Sequence, residues 1–336
     1  MLISDSPGAN DRGMLSIPEV SIVIDVVVKA VHPEAQDILS FELARPDGAP
    51  LPPFSAGAHI DVHLPDGAIR QYSLCNHPEE RERYQIAVLL APEGRGGSRG
   101  MHGLAVGQTV RISEPRNLFP LENGATRSVL FAGGIGITPI LCMAERLAHT
   151  GADFELHYFA RSRVHAAFVE RLENSPFAAR VHLHLDDMEP RADVSSMLAA
   201  PTAGDHLYVC GPTGFMTFVL ETATAQGWNS GQLHREYFSA EPQAEGSQEG
   251  FEIQLASTGQ VLPVPEGVTV IDVLREVGVE VPVSCEQGIC GTCLTRVLEG
   301  EPDHRDLFLT EDEQAANDQF TPCCSRSKSA RLVLDL

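Results

Sequence analysis

Cations are scarce in this sequence. Against 46 Asp and Glu stand 24 Lys and Arg, a formal charge of −22 over 336 residues. Neutralising a phosphate backbone takes clustered basic side chains, so nucleic acid is not expected as a partner, and an acidic surface favours solubility and basic partners instead. Long apolar runs are missing too. The most apolar stretch, residues 129–144, is short and is broken by Gly133, Gly134, Gly136 and Pro139, so no membrane span is expected. The opening MLISDSPGANDRG has neither a positive leader nor an apolar core, which reads as a flexible tail of a cytoplasmic protein. A disulfide framework is also lacking: of eight cysteines, four crowd into one spacing while Cys75, Cys142, Cys210 and Cys324 are scattered. In a cytoplasmic chain that means metal ligation plus free thiols. No internal repeat is present.

What is there reads as a multi-domain chain, because its length exceeds one ordinary core and 43% hydrophobic with 21% charged residues is globular composition. After a tail over 1–16, residues 17–122 carry short β-like runs at 22–28, 38–43, 60–64, 69–74 and 84–90, with Pro-Asp-Gly turns at 46–48 and 65–67. That pattern is an antiparallel β-barrel. From 127 to 240 strands alternate with helices: 128–131 then 140–149, 154–159 then 165–173, 181–185 then 194–198, 207–210 then 215–225. Repeated βα units call for an α/β domain with a parallel sheet that binds nucleotides. His182 and His184 alternate with Val181, Leu183 and Leu185, so they belong to the outward face of a strand. Residues 241–250, EPQAEGSQEG, form a linker. Runs at 251–255 and 261–264 and a helix at 270–277 then suggest an α+β, β-grasp-like unit over 251–336, in which Glu311-Asp312-Glu313 is a solvated helix start.

The strongest motif is Cys285-Glu286-Gln287-Gly288-Ile289-Cys290-Gly291-Thr292-Cys293, followed by a distant Cys323-Cys324 pair. Gaps of four, two and many residues are the plant-type ferredoxin spacing, in which four thiolates hold two irons; the spacing admits either cysteine of the pair as fourth ligand. Gly288 and Gly291 let the loop fold closely enough for backbone N–H groups to face the sulfurs. Second comes Gly133-Gly134-Ile135-Gly136-Ile137-Thr138-Pro139, after an apolar strand and before a helix. Its glycines allow a pyrophosphate close, Thr138 is placed to cap the helix and Pro139 suits its first turn. Pro139 stands where the full dinucleotide fingerprint has its third glycine. Third, Arg70-Gln71-Tyr72-Ser73 ends a barrel strand, offering a phosphate partner, an aromatic ring for an isoalloxazine and a hydroxyl near its reactive nitrogen. The loop Gly94-Arg95-Gly96-Gly97-Ser98 adds backbone donors for a phosphate.

In this order, and together with Cys210-Gly211-Pro212, Glu236 and Phe238, these motifs resemble the phthalate dioxygenase reductase family, including the vanillate O-demethylase reductases, over nearly the whole chain. The resemblance implies FMN held by Arg70, Gln71, Tyr72 and Ser73, with its phosphate near Gly96, Gly97 and Ser98. It implies that Gly133, Gly134, Gly136, Thr138 and Pro139 serve NADH, that Cys210, Gly211 and Pro212 lie beside the nicotinamide, and that Glu236 and Phe238 stand at the reacting centre. It makes Cys323 the fourth ligand of the [2Fe–2S] cluster, beside Cys285, Cys290 and Cys293. Hydride would pass from NADH to the flavin, and single electrons through the cluster to a separate Rieske-type oxygenase, the reductase itself being a monomer. Rival readings are an FAD-dependent reductase and an acidic scaffold without redox function. No acid follows the second strand of the nucleotide domain, where Arg161 and Arg163 stand and would by rule admit a 2′-phosphate; the resemblance nevertheless points to NADH.

Overall fold

The computed structural model describes residues 23–91, 96–238 and 249–336. The expected tail over 1–16, residues 241–248 of the expected linker, and Gly94 and Arg95 of the glycine loop lie outside the described residues. The first sheet contains β1 (Val23–Ala35), β2 (Ile38–Ala44), β3 (His59–His63), β4 (Ile69–Ser73), β5 (Tyr84–Leu89) and β6 (Thr109–Ser113), in the order β4-β3-β6-β1-β2-β5, all pairs antiparallel. Cys75, just past β4, donates its backbone N–H to Gln85 of β5 at 2.9 Å, which draws the two edges together. Strand alternation explains the core: Val26, Phe41, Ile60, Val62 and Ile86 all point inward. Side chains of this size contribute roughly 1.5–3 kcal/mol each on full burial. Two elements depart from expectation. The strand expected at 22–28 runs on to Ala35, its far half paired to β2 through register shifts at Val28/Ala30 and Pro33/Ala35. The five-residue β6 had not been distinguished from loop. A short helix, α1 (Gly97–His102), follows Gly96, whose φ of 84° needs a glycine.

The second sheet is parallel, with β7 (Arg127–Gly133), β8 (Phe154–Ala160), β9 (Val181–Leu185), β10 (Asp205–Cys210) and β11 (Leu233–Glu236) in the order β11-β10-β7-β8-β9. Helices α2 (Ile137–Thr150), α3 (Val169–Glu173), α4 (Val194–Met197) and α5 (Thr213–Ala225) connect the strands. The order reverses between β7 and β10, and at such a switch point the carboxyl ends of the strands open a crevice. The helix expected over 165–173 is shorter. Ala166, Ala167 and Phe168 are buried off the helix, Ala167 N–H donating to Tyr158 Oη at 2.9 Å and Phe168 adopting a φ of 60°, so α3 starts only at Val169. Burial also corrects one histidine: His182 is exposed, but His184 is half-buried and stacks on Phe159 at 4.5 Å.

Barrel and parallel sheet share one apolar core, in which Ile38, Cys75 and Phe119 pack with Ile140, Leu141 and Met143 of α2. Polar clasps flank it: Arg171 donates to Gln85 at 2.8 Å and to Glu145 at 2.6 Å. The C-terminal unit has β12 (Phe251–Leu255), β13 (Val261–Val264), β14 (Thr295–Glu299), β16 (Gln319–Phe320) and β18 (Arg331–Leu334) in the order β13-β12-β18-β14-β16, beside a small pair of β15 (Pro302–Asp303) and β17 (Arg326–Ser327). Helix α6 (Val270–Glu276) covers the sheet, with Thr269 capping its start. Helix α7 (Glu311–Ala316) opens on Thr310 and Glu313 in a reciprocal capping box, and its acidic first turn is exposed.

Candidate functional site

Where the three units meet lies a cavity of about 510 Å³, within the range of about 300–1,000 Å³ common for small-molecule sites. Three walls define it. Arg70, Gln71, Tyr72 and Ser73 of β4 form the first; Ile135, Thr138 and the segment from Arg235 to Phe238 form the second; Cys285, Gln287, Ile289, Cys290, Leu307 and Phe308 form the third. His59, Leu118 and Ser98 close the gaps. Residues separated by more than 200 positions therefore face one space.

On the barrel side, the Arg70 guanidinium donates to Ile69 O at 2.7 Å and its stem lies against Gly97; a Cβ on Gly97 would fall 2.6 Å from Arg70 Cγ. Gly96, Gly97 and Ser98 thus stand at the mouth beside a fixed cation, with Ser98 Oγ accepting from Ala91 N at 3.0 Å. This cradle suits a phosphate-bearing flavin. The Ser73 hydroxyl is engaged elsewhere: it donates to Glu236 Oε2 at 3.1 Å. Burial pushes the Glu236 carboxyl up to about 8, against the stabilising hydroxyl of Ser73, so the acid is protonated at neutral pH. His59 is driven down to about 4, by burial first and then by the Arg116 charge. Its approach of 4.0 Å to Glu236 is consequently a contact between two neutral groups rather than an ion pair.

On the nucleotide side, the ends of β7 and β10 touch. A Cβ on Gly136 would sit 2.2 Å from the Cys210 carbonyl oxygen, and one on Gly211 would sit 2.9 Å from Gly133 Cα. Cys210 is fully buried and in register with Glu236 on the neighbouring strand. Gly134 has a φ of 54°, in the turn that leads into α2. The role expected of Thr138 changes. Gly136 is the N-cap of α2, with no side-chain cap, and Thr138 lies inside the first turn with Pro139, its hydroxyl donating back to Ile135 O at 3.1 Å. Phe238 is 41% exposed at the cavity mouth, and Pro212 packs over Gly133.

In the third wall the cysteines fall into two contacting pairs. Cys285 hydrogen-bonds Cys290, holding the Cys290 thiol down to about 5, and Cys323 contacts Cys293. Cys324 hydrogen-bonds Cys323 and also touches Thr321 and Ser325, with Thr321 Oγ1 at 3.2 Å from its sulfur. The loop is tight: a Cβ on Gly291 would meet the Phe308 ring at 2.3 Å, and one on Gly288 would meet Cys324 Sγ at 2.4 Å. Two contacting thiol pairs, three of the four sulfurs on one glycine-turned loop, are the donor set of an iron–sulfur cluster. His59, Leu118, Tyr237 and Phe308 carry no local mark in the sequence; only the meeting of distant strands brings them to the site.

A family model for the 2Fe-2S iron-sulfur cluster binding domain matches residues 253–328, and one for the dimethylamine monooxygenase subunit DmmA-like N-terminal domain matches residues 112–233. The chain is 62% identical over 320 residues to vanillate O-demethylase oxidoreductase of Pseudomonas putida, covering 94% of this chain and 100% of that one. It is 42% identical to phthalate dioxygenase reductase of Burkholderia cepacia, covering 90% and 94%. A solved phthalate dioxygenase reductase, described as a modular structure for electron transfer from pyridine nucleotides to [2Fe-2S], superposes with a TM-score of 0.75 at 41% identity, covering 94% of this chain and 98% of that one. Fold and site together define a flavin and iron–sulfur oxidoreductase built for electron transfer. The chain belongs to the phthalate dioxygenase reductase family, alongside the vanillate O-demethylase oxidoreductases. It is a reductase component of an oxygenase or demethylase system. No helix among the described residues is long and apolar enough to cross a membrane.

Proposed function

We propose that this chain takes hydride from NADH onto FMN seated in the central cavity and passes single electrons to a [2Fe–2S] cluster, and so to a Rieske-type oxygenase acting on an aromatic substrate. The observation that carries this reading is the shared cavity, where β4, the Arg235 to Phe238 segment and the cysteine loop each supply a wall. When bound, FMN converts a two-electron donor into a one-electron one. Arg70 with Gly96, Gly97 and Ser98 holds the phosphate, and Gln71, Tyr72 and Ser73 line the ring. Gly133, Gly134 and Gly136 admit the dinucleotide against the start of α2, with Thr138 and Pro139 shaping the turn. Cys210, Gly211 and Pro212 bound the nicotinamide.

Glu236, neutral and fixed by Ser73, presents no negative charge where hydride arrives, and Phe238 covers the mouth against water. Cys285, Cys290, Cys293 and Cys323 would hold the cluster; the contact of Cys323 with Cys293 supports Cys323 as the fourth ligand. NADH is the donor we favour on the family resemblance; of the two arginines after the second strand, Arg163 pairs with Glu173 at 2.7 and 2.6 Å. The three units correspond to 17–122, 127–240 and 251–336, the chain acts as a monomer, and the supply of NADH places it in the cytoplasm. The test is to release the cofactor by heat and identify it: FMN at one per chain is expected, and stoichiometric FAD would overturn the flavin assignment.

A further inference from the structure

One hydrogen bond joins the barrel directly to the residue before the cluster loop. Ser284 Oγ donates to Asp61 Oδ1 at 2.7 Å, linking residues 223 positions apart, and both residues are buried, at 3% and 7% exposure. Ser284 immediately precedes Cys285. Asp61 belongs to β3, two residues from His59, so the two share a face of the strand. His59 floors the central cavity while Asp61 reaches the cluster unit.

Asp61 is itself held by two contacts within the barrel, one of them to a residue that is locked in turn. Its Oδ2 accepts from Arg116 Nη2 at 2.7 Å, its backbone N–H donates to Ser113 Oγ at 2.9 Å, and Arg116 is locked to His59 by a reciprocal pair of backbone bonds at 2.9 and 3.0 Å. An acceptor built this rigidly, and charge-assisted, is a better anchor than a surface contact would be. Its carboxylate is shared, with Oδ2 on the barrel's own Arg116 and Oδ1 on Ser284 of the cluster unit.

We propose that Asp61, oriented by Arg116, is a positioning residue for electron transfer: by accepting from Ser284 it fixes the cluster loop against the flavin barrel and sets the separation across which the electron moves. The proposal rests on the reading that flavin occupies the cavity and that Cys285 ligates the cluster. The step it governs moves one electron from reduced flavin to oxidised cluster, with no bond made or broken. Hydride transfer from NADH, on the other side of the cavity, does not depend on it.

The experiment uses the full, cofactor-loaded chain with Ser284→Ala, Ser284→Thr and Asp61→Ala. Three quantities are read: the rate of flavin bleaching by NADH, the rate of the cluster bleaching that follows, and amide hydrogen exchange of residues 284–290 in the resting protein. Expected for Ser284→Ala are an unchanged first rate, a second rate slowed roughly tenfold or more, on the scale by which misplaced reaction partners lose rate, and faster exchange in the loop. Ser284→Thr, which keeps the hydroxyl, restores both. If Ser284→Ala loses its cluster, Asp61→Ala decides, since it leaves the cluster loop's own sequence unchanged and is expected to slow the second rate and loosen the loop with cluster content intact. A second rate and exchange profile equal to wild type in a cluster-loaded Ser284→Ala or Asp61→Ala protein overturns the proposal. Failure of the wild-type flavin to bleach with NADH would instead overturn the underlying reading of the cavity.

Discussion

Ser73, the last residue of barrel strand β4, donates its hydroxyl to Glu236, the last residue of β11, at 3.1 Å across 163 positions of sequence. This bond closes the joint between barrel and parallel sheet at the spot where the two ends of strands meet the cavity. It ties an acid that is neutral at pH 7 to a residue expected from sequence alone to serve the flavin.

Glu236 makes pH a probe of that joint. Its carboxyl is raised from 4.5 to about 8 in the folded protein, so the native state holds a proton that the unfolded state has lost. The stability associated with the neutral acid is therefore fully present below about 4.5 and is lost progressively as pH climbs to 8. At about 1.4 kcal/mol per unit the whole loss is on the order of a few kcal/mol. Glu236→Gln, which is neutral at every pH, is expected to keep flavin reduction at pH 7 and to have a thermal midpoint that does not share this alkaline decline. A parallel decline in wild type and variant would show that Glu236 is not the titrating group.

Gly136 has no room for a side chain, because a Cβ would lie 2.2 Å from backbone oxygen of Cys210. Neither partner is a flexible side chain, so the strand ends must part. Gly136→Ala is expected to lower stability by about 1–3 kcal/mol or more and to raise the KM for NADH. Thermal melts and steady-state assays with ferricyanide check both; wild-type values in both would remove the close approach from the account.

Arg70 packs its cationic side chain against Gly97 in the cradle. Arg70→Ala is expected to weaken flavin retention roughly 10–100-fold, the scale of losing a charge-assisted contact of about 1.5–3 kcal/mol. Flavin content after dialysis reads this directly, and full retention would assign the phosphate to other residues.

The adjacent cysteines separate cleanly by mutation. Cys323→Ser is expected to retain flavin and ferricyanide reduction while losing the visible absorption of the cluster and delivery to a one-electron acceptor; Cys324→Ser is expected to keep both. The reverse pattern would make Cys324 the ligand.

The features legible in the sequence are those written locally. The cysteine spacing, the glycine turn after β7 and the Arg70 to Ser73 strand end each announce their chemistry within a few residues, and the βα rhythm announced the parallel sheet. What could not be read depends on tertiary meeting. His59, Asp61 and Arg116 look like ordinary members of a barrel until β3, the segment after β6 and the cluster loop are brought together. Strand β11 has only four residues, half-buried or exposed, so no periodicity marks it. The helix over 165–173 was overdrawn because Ala166, Ala167 and Phe168 favour a helix locally yet are drawn into the core by Tyr158 and their neighbours. Thr138 looked like a cap by type and position, but the tight turn at Gly134–Gly136 moved the helix start one residue ahead of it.

The central claim is that one cavity places flavin between nucleotide and cluster. Anaerobic stopped-flow mixing of the full chain with NADH, following flavin and cluster absorption separately, tests it most directly. The account predicts flavin bleaching first and cluster bleaching after it, with Cys285→Ser or Cys290→Ser abolishing only the second phase. Cluster reduction in flavin-stripped protein, or a first phase that persists after the flavin is removed, would contradict it.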